Sequence, residues 1–529
     1  MNLKKLLVPV LSLALLFPTL ANAEVKPKAT VNTPAVELRA SLDHLLSEHF
    51  VLAVTSMTKA YDGAADSKAV FDALNQNALD MKPAIASIYG EAGAAEFDRI
   101  FRNHNNYTDD IVNATKSNDQ AALKEVDKEV EDFVIEFSTF LATATEGHLP
   151  KKAAEDVIRL HEKQVRDTFD SYVKGDYKAA YETFREGFKT MFSISKALSV
   201  AIVAQMPEKF KNSKADTPAA DLRSALNSLA SEHVALATME MQKEYEGAKD
   251  FPSLIWAETQ HTADFKAAIS SIYGAEGANQ FEKIWVTDHI NAQSSIAAAQ
   301  KKGDLQAREA AKKRVEAFVI EFGGFLGAAT AENLPAKAAQ DAVRTHEAQV
   351  LQAFDEYVAG NYDAAYKTFR EAYKLLIGVG QVLGDAIVTQ FNDKFQVPAD
   401  TGSMTTVWMK INSSELKIND KVTQMDTTPF MWESWTFIPL RYLSEGIGAE
   451  VIWEDGTRTI WVKAGNDTLT FWVGKDYMEV NGVKQDIGTK VFINKDGRTV
   501  IPLRFIAELL GWDVEWNDMD WSIKLTKAM

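Results

Sequence analysis

The chain has 529 residues, 46% of them hydrophobic and 25% charged, with a formal net charge of −17 and no cysteine. That length exceeds what one hydrophobic core organises, so about three domains are expected, each of ordinary globular composition. The acidic balance disfavours nucleic acid and anionic lipid as partners, and the missing cysteines remove disulfides, thiolate ligands and thiol nucleophiles.

Lys4-Lys5, the apolar run from Leu6 to Leu20 and the small-x-small step Ala21-Asn22-Ala23 read as a secretory signal over residues 1–23. The run is too short and wrongly flanked for a spanning helix, and no later run reaches the about 18 apolar residues a membrane span needs. Loss of Lys4 and Lys5 takes the formal charge from −17 to −19. An exported protein without cysteine suits a Gram-positive bacterium, so an extracellular or wall-associated location is expected.

Residues 35–206 read as a first helical bundle. Leu38, Leu42, Leu45, His49 and Leu52 form the stripe of an amphipathic helix that Gly63 ends. A second helix follows from Ser67 to Tyr89, Gly90 and Gly93 interrupt, and a third carries Phe97, Phe101, His104 and Ile111. Asn118-Asp119 opens a fourth, with Phe133, Val134, Phe137, Phe140 and Leu141. Leu149-Pro150 opens a fifth, with Val157, His161, Val165 and Thr168, and Gly175-Asp176 leads into a sixth ending near Gln205. The stretch from Gly175 to Phe188 resembles half a tetratricopeptide repeat, but without a period of about 34 residues it reads as ordinary helix-pair packing.

The same order returns over residues 217–395. Leu38 to Tyr61 is matched by Leu222 to Tyr245, each with Ser-Glu-His at its centre, and Phe133-Val-Ile-Glu136-Phe137 by Phe318-Val-Ile-Glu321-Phe322. The offset is 184 early (Tyr89 to Tyr273) and 185 later (Leu149 to Leu334), which places a one-residue insertion between the third and fourth helices. Two copies are a duplication and not a solenoid.

After a linker from Gln396 to Thr405 the period becomes alternating, with turns at Asp455-Gly456, Asn481-Gly482 and Asp496-Gly497. Ile438-Pro439-Leu440-Arg441 is echoed by Ile501-Pro502-Leu503-Arg504, each leading to a Gly and a strand ending in Trp453 or Trp516. Pro suits a first helical turn, Arg441 and Glu445 can pair, and Gly frees the exit. The region from 406 to 527, through PLRFIAELLGWDVEW, resembles the copper amine oxidase N-terminal-like, or stalk, domain. The resemblance implies an accessory module in which a small antiparallel sheet wraps a helix. The expected whole is multidomain: two all-α bundles by tandem duplication, then an α+β domain of curled antiparallel sheet with short helices.

Amine oxidase chemistry in that family needs a Tyr inside Asn-Tyr-Asp/Glu and a His-x-His copper pair. Asn361-Tyr362-Asp363 fits the tripeptide, but its counterpart is Asp176-Tyr177-Lys178 and no His-x-His occurs. No hydrolase, zinc-protease or phosphate-loop motif is present either, so the expectation is a protein that is not an enzyme.

Six of the nine histidines match between copies: His49 with His233, His104 with His289, His161 with His346. The His104–His289 match requires the insertion just before them. Each lies mid-helix on an apolar stripe, and Glu136 and Glu321 lie near theirs, so four helices could converge three imidazoles and one carboxylate. Such a set in a bundle core suits zinc, copper or iron. Glu48 and Glu232 are expected as acceptors for an imidazole N–H or as alternative ligands, and Asn77 becomes His261 in the second copy. The competing readings are a hydrogen-bonded polar core and a small-ligand or haem pocket. Nine of the eleven tryptophans fall in the last domain. Trp453, Trp461 and Trp516 read as core, whereas Trp432 and Trp435 are candidates to stack on a cell-wall glycan. Another envelope protein is the alternative partner.

Overall fold

The computed structural model describes residues 28–396, 404–419, 421–432, 435–447, 449–464, 467–503, 507, 512–517 and 520–528. The leader pattern, Arg504, Gly448 and Gly511 lie outside the described residues, as does most of the linker.

The first half contains α1 (Pro34–Asp62), α2 (Ser67–Ser117), α3 (Gln120–Ala144), α4 (Lys151–Val173) and α5 (Tyr177–Gln205). The second contains α6 (Pro218–Glu246), α7 (Phe251–Ile284), α8 (Asn291–Lys302), α9 (Leu305–Ala329), α10 (Ala336–Val358) and α11 (Tyr362–Gln390). Helix starts follow local chemistry. Thr33 accepts from the Val36 N–H and Thr217 from the Ala220 N–H, each followed by a first-turn proline. Within α2, Gly90 adopts φ 74° and ψ 176°, a conformation open only to glycine, so this helix has two legs, the second and third helices of the sequence reading. Gly274 repeats the bend in α7 at φ 76° and ψ 178°.

The inserted residue lies inside the third helix and not between the third and fourth. Trp285–Ile290 winds as a π-helix joining α7 to α8, where the first half has continuous α-helix from Phe97 to His104. One extra residue in a helix widens one turn in this way, which lets the flanking turns keep their register. His289 sits within that wide turn.

The two halves share one core. A single apolar cluster contains Phe50, Phe184 and Phe188 from the first and Val234, Phe354 and Tyr373 from the second. Around it the halves exchange matched polar links. Arg370 reaches Glu48 at 2.8 Å and Arg185 reaches Glu232 at 2.7 Å. Tyr366 donates to Asp66 at 2.8 Å and Tyr181 to Asp250 at 2.9 Å. Arg223 pairs with Glu37 at 2.6 Å and Arg39 with Asp221 at 2.5 Å. At the centre Asn227 donates to Asp43 at 3.0 Å, and these two are each other's counterparts in the repeat. A residue that meets its own equivalent marks a local two-fold axis. Two helices, α5 and α11, are long and apolar enough to cross a membrane, and both pack in this bundle, against α1 and α6 respectively.

The C-terminal part is α+β, with its strands divided among three antiparallel sheets. The first has β1 (Met404–Lys410), β2 (Glu415–Ile418), β3 (Lys421–Gln424), β13 (Asp513–Asn517) and β14 (Ser522–Ala528), ordered β13-β14-β1-β2-β3. The second runs in sequence order through β6 (Glu450–Glu454), β7 (Thr459–Ala464), β8 (Asp467–Trp472), β9 (Tyr477–Val480) and β10 (Val483–Asp486). The third is ordered β11-β12-β5-β4, from β4 (Phe430–Trp432), β5 (Trp435–Pro439), β11 (Phe492–Ile493) and β12 (Thr499–Pro502); helix α12 (Leu440–Ile447) follows β5. Ile438 pairs with Ile501, so the doubled Ile-Pro-Leu-Arg motif also meets itself about a local two-fold.

Candidate functional site

Three matched histidines converge in each half. One ligand atom each from His49, His104 and His161 lie within 4.8 Å of one another, and the same holds for His233, His289 and His346. All six are at least 93% buried. Helices α1, α2 and α4 supply the first triad, and α6, the π-turn and α10 the second. The middle imidazole of each is fixed by stacking: His104 on Phe133 and His289 on Phe318, both with ring centroids 4.4 Å apart. Burial, then the neighbouring His161, takes His104 down to about 3, and burial takes His161 and His346 to about 4. Burial and the adjacent imidazoles hold His49 and His233 well below the ordinary value. Those five imidazoles are therefore neutral at pH 7, the form that donates a lone pair to a metal.

Several buried atoms at the triads have no hydrogen-bond partner in the protein: both ring nitrogens of His49 and of His346, Nδ1 of His161 and Oε1 of Glu162. Buried polar groups are normally paired, so unpaired ones grouped at each triad indicate a ligand. Nε2 of His289 and of His233 face each other at 2.9 Å, while Nδ1 of His289 faces Oε1 of Glu347 at 3.0 Å. In the first half Nδ1 of His104 faces Oε1 of Glu162 at 3.5 Å. A carboxylate behind the distal nitrogen, with the other nitrogen turned to the centre, is the common outer arrangement of a metal-bound histidine.

That carboxylate is not the one expected from the sequence. Glu136 is exposed and bonds Arg99 at 2.5 Å, and Glu321 is exposed on α9. Each lies about 100° of helix rotation from the centre of the apolar face that its phenylalanines form with Val134 and Leu141, or with Val319 and Leu326, too far to point inward. The sequence reading missed Glu162 and Glu347, which directly follow the third histidine in both copies; that His-Glu doublet was the available signal. Glu48 and Glu232 are likewise not the imidazole acceptors of His49 and His233. One residue earlier on the helix, Glu48 turns to Asn77 at 2.7 Å and to Arg370, and Glu232 turns to His261 at 3.1 Å and to Arg185.

The two centres differ in their surroundings. Burial raises Glu162 to about 8. Burial would raise Glu347 too, but facing His289, with a hydrogen bond from Gln293 at 3.0 Å, leaves it below the ordinary carboxylate value. The residue matching Gln293 is Thr108, which donates to the Asn105 carbonyl instead. Beside the first triad lies an apolar cavity of about 100 Å³, and beside the second one of about 620 Å³. Smaller side chains open the second: Leu46, Val157, Ile158 and Ile194 line the first cavity, and their counterparts Ala230, Ala342, Val343 and Val379 line the second.

In the C-terminal domain Trp432 is 57% exposed, while Trp435, its partner across the hairpin, is half-buried. Trp516 packs against the core as expected. Trp453 stands on the core-facing side of edge strand β6 but is exposed, and Trp461 lies on the opposite face because Ile460 and Val462 take the inward positions on β7. Tyr362 begins α11 and packs on Tyr357 at 5.3 Å between ring centroids, as Tyr177 does on Tyr172 at 5.2 Å.

The family described as copper amine oxidase N-terminal domain matches residues 388–462 and 417–525, about a quarter of the chain. The match is to the accessory N-terminal domain of that family and not to its catalytic domain. No curated protein and no solved structure matches the chain.

Proposed function

We propose that this chain is an exported metal-binding protein whose helical halves each hold a transition-metal ion, zinc, copper or iron, on a histidine triad. The C-terminal domain, similar to the copper amine oxidase N-terminal domain, serves as a non-catalytic module that spaces or attaches the helical unit. The observation that carries the reading is the convergence of six buried imidazoles into two triads, several of whose ring nitrogens have no hydrogen-bond partner. Metal–nitrogen bonds of about 2.0–2.1 Å set tetrahedral ligands roughly 3.3 Å apart, within reach of small rotamer shifts from the observed spacing. Three protein ligands leave a fourth position for water or a small molecule, and the adjoining cavity supplies the room. The leader pattern supports export.

Elemental analysis of the purified full-length protein tests this. At least one ion per half is expected under metal-replete conditions, and His49→Ala with His161→Ala should lose the first half's ion while helical circular dichroism is retained. Metal-free protein under those conditions would end the reading. A second reading, adhesion to a cell-wall glycan, is favoured by one observation, the exposed Trp432 at a hairpin tip. Trp432→Ala should then abolish retention on insoluble wall glycan.

A further inference from the structure

The second half carries another ligand set that the first half lacks. His233, Glu258 and His261 each place a ligand atom within 4.8 Å of the others, and all are at least 97% buried. Glu232 holds Nδ1 of His261 at 3.1 Å, which leaves Nε2 without a hydrogen-bond partner. Thr262 donates to Oε1 of Glu258 at 3.2 Å, and Oε2 is unpaired. Glu240, also buried, has an unpaired Oε1 on the same side. At the matching positions the first half has Leu74 for Glu258, Asn77 for His261, Ala78 for Thr262 and Ser56 for Glu240. Each of these changes turned an apolar or small neutral residue into a stronger metal-binding or supporting group.

The set also has its own approach. A cleft lined by Glu240, Glu258, Thr262 and Lys266 opens separately from the apolar cavity at the triad. The π-turn divides the two, with Val286 and Ile290 lining the cleft and Trp285 and His289 lining the cavity. Two buried carboxylates and an imidazole cluster together at a heavy desolvation cost unless a cation joins them.

We propose that the second half binds two divalent ions side by side, one on the triad and one on Glu258 and His261, with His233 losing its ring proton to solvent and offering one nitrogen to each ion. Mixed carboxylate and imidazole ligation suits zinc, manganese or iron(II). The inference rests on the metal reading of the triads, and stoichiometry separates the two. Chelator-stripped full-length protein, reloaded with Zn²⁺ and desalted, should hold three ions per chain. Glu258→Leu with His261→Asn installs the first half's own residues, and Asn77 bonding Glu48 shows that the amide can replace the imidazole against Glu232. That variant should hold two ions, and the isosteric Glu258→Gln should weaken the third ion at least tenfold with helical content unchanged. Loaded with Cu²⁺, the wild type should show spin coupling between neighbouring ions that the double variant loses. Two ions in the wild type, or three in the double variant, would overturn the second site and leave the triads standing. No ion in either would remove the triad reading and this inference with it.

Discussion

In the first half the triad lies beside a carboxyl group that burial keeps protonated at pH 7 and a cavity of about 100 Å³. In the second, the same three helical positions face an ionised carboxylate, a cavity of about 620 Å³ and an extra histidine and glutamate. The difference teaches which parts of the centre are common and which are adjustable. Three imidazoles, a stacked phenylalanine and a trailing glutamate recur in both. Cavity size, the extra ligands and the donor to that glutamate vary, and each traces to a few side chains.

The largest test of this comparison is to empty one centre at a time. His233→Ala with His346→Ala should release the second half's triad ion and leave the first half's in place, read by elemental analysis. In the wild type a chelator should strip the second half first, because its cavity is the wider route. Full removal of metal should lower stability by about 4 kcal/mol for each ion lost if free metal had been about 1,000 times Kd, seen as a fall in Tm.

Next come the crossed ion pairs. Arg370→Ala leaves Glu48 buried with the neutral Asn77 amide and a distant His44, and should cost about 3 kcal/mol in denaturant melts. Arg185→Ala should cost less, because Glu232 keeps its bond to His261, whose pKa burial lowers but the Glu232 hydrogen bond and the neighbouring carboxylates raise further. Equal costs would refute the claim that His261 shares that charge.

A packing swap is smaller. A Cβ on Gly187 would lie 2.4 Å from Cζ of Phe50, and the second half holds Ala372 opposite Val234 at the same places. Gly187→Ala should cost about 1–3 kcal/mol by overpacking. Phe50→Val in the same chain should recover part of it, so that the double variant is less destabilised than the sum of the single ones.

The smallest effect concerns the axis. Burial raises the Asp43 carboxyl, against the lowering by Arg39 and the hydrogen bonds from Ser195 and Asn227. A folded pKa above the unfolded value gives stability that is present at acid pH and lost as pH rises. Relative to Asp43→Asn, which makes the pair uniform, the wild type should therefore lose stability as pH rises above about 4, the ordinary range of an unfolded aspartate. A flat difference would contradict the burial of that charge.

Much of this was legible in the residues. The bends at Gly90 and Gly274, the strand alternation around Phe471 and the inward stripe of six histidines all follow from local chemistry and period. What was not legible depends on chain segments far apart. Arg185 and Arg370 read as ordinary helix-surface residues until the other half is placed against them. Glu136 follows the phenylalanine stripe of α3 in sequence, whereas Glu162 is buried because α4 buries a broader face. The repeat offset brackets the inserted residue and the histidine match requires it just before His289, but neither tells whether a loop or a widened helical turn absorbs it.

The shared core has a consequence for how this chain is made. Phe184, Phe188 and Tyr181 of α5 finish folding against α6 and α7, and α1 and α2 against α11, all of which leave the ribosome or a translocation pore later. The first half must therefore wait, apolar surface uncovered, until roughly another 180 residues have emerged. A nascent chain stalled in the interval should bind holdase chaperones and be cut readily by protease, and only arrival of α11 should bring resistance.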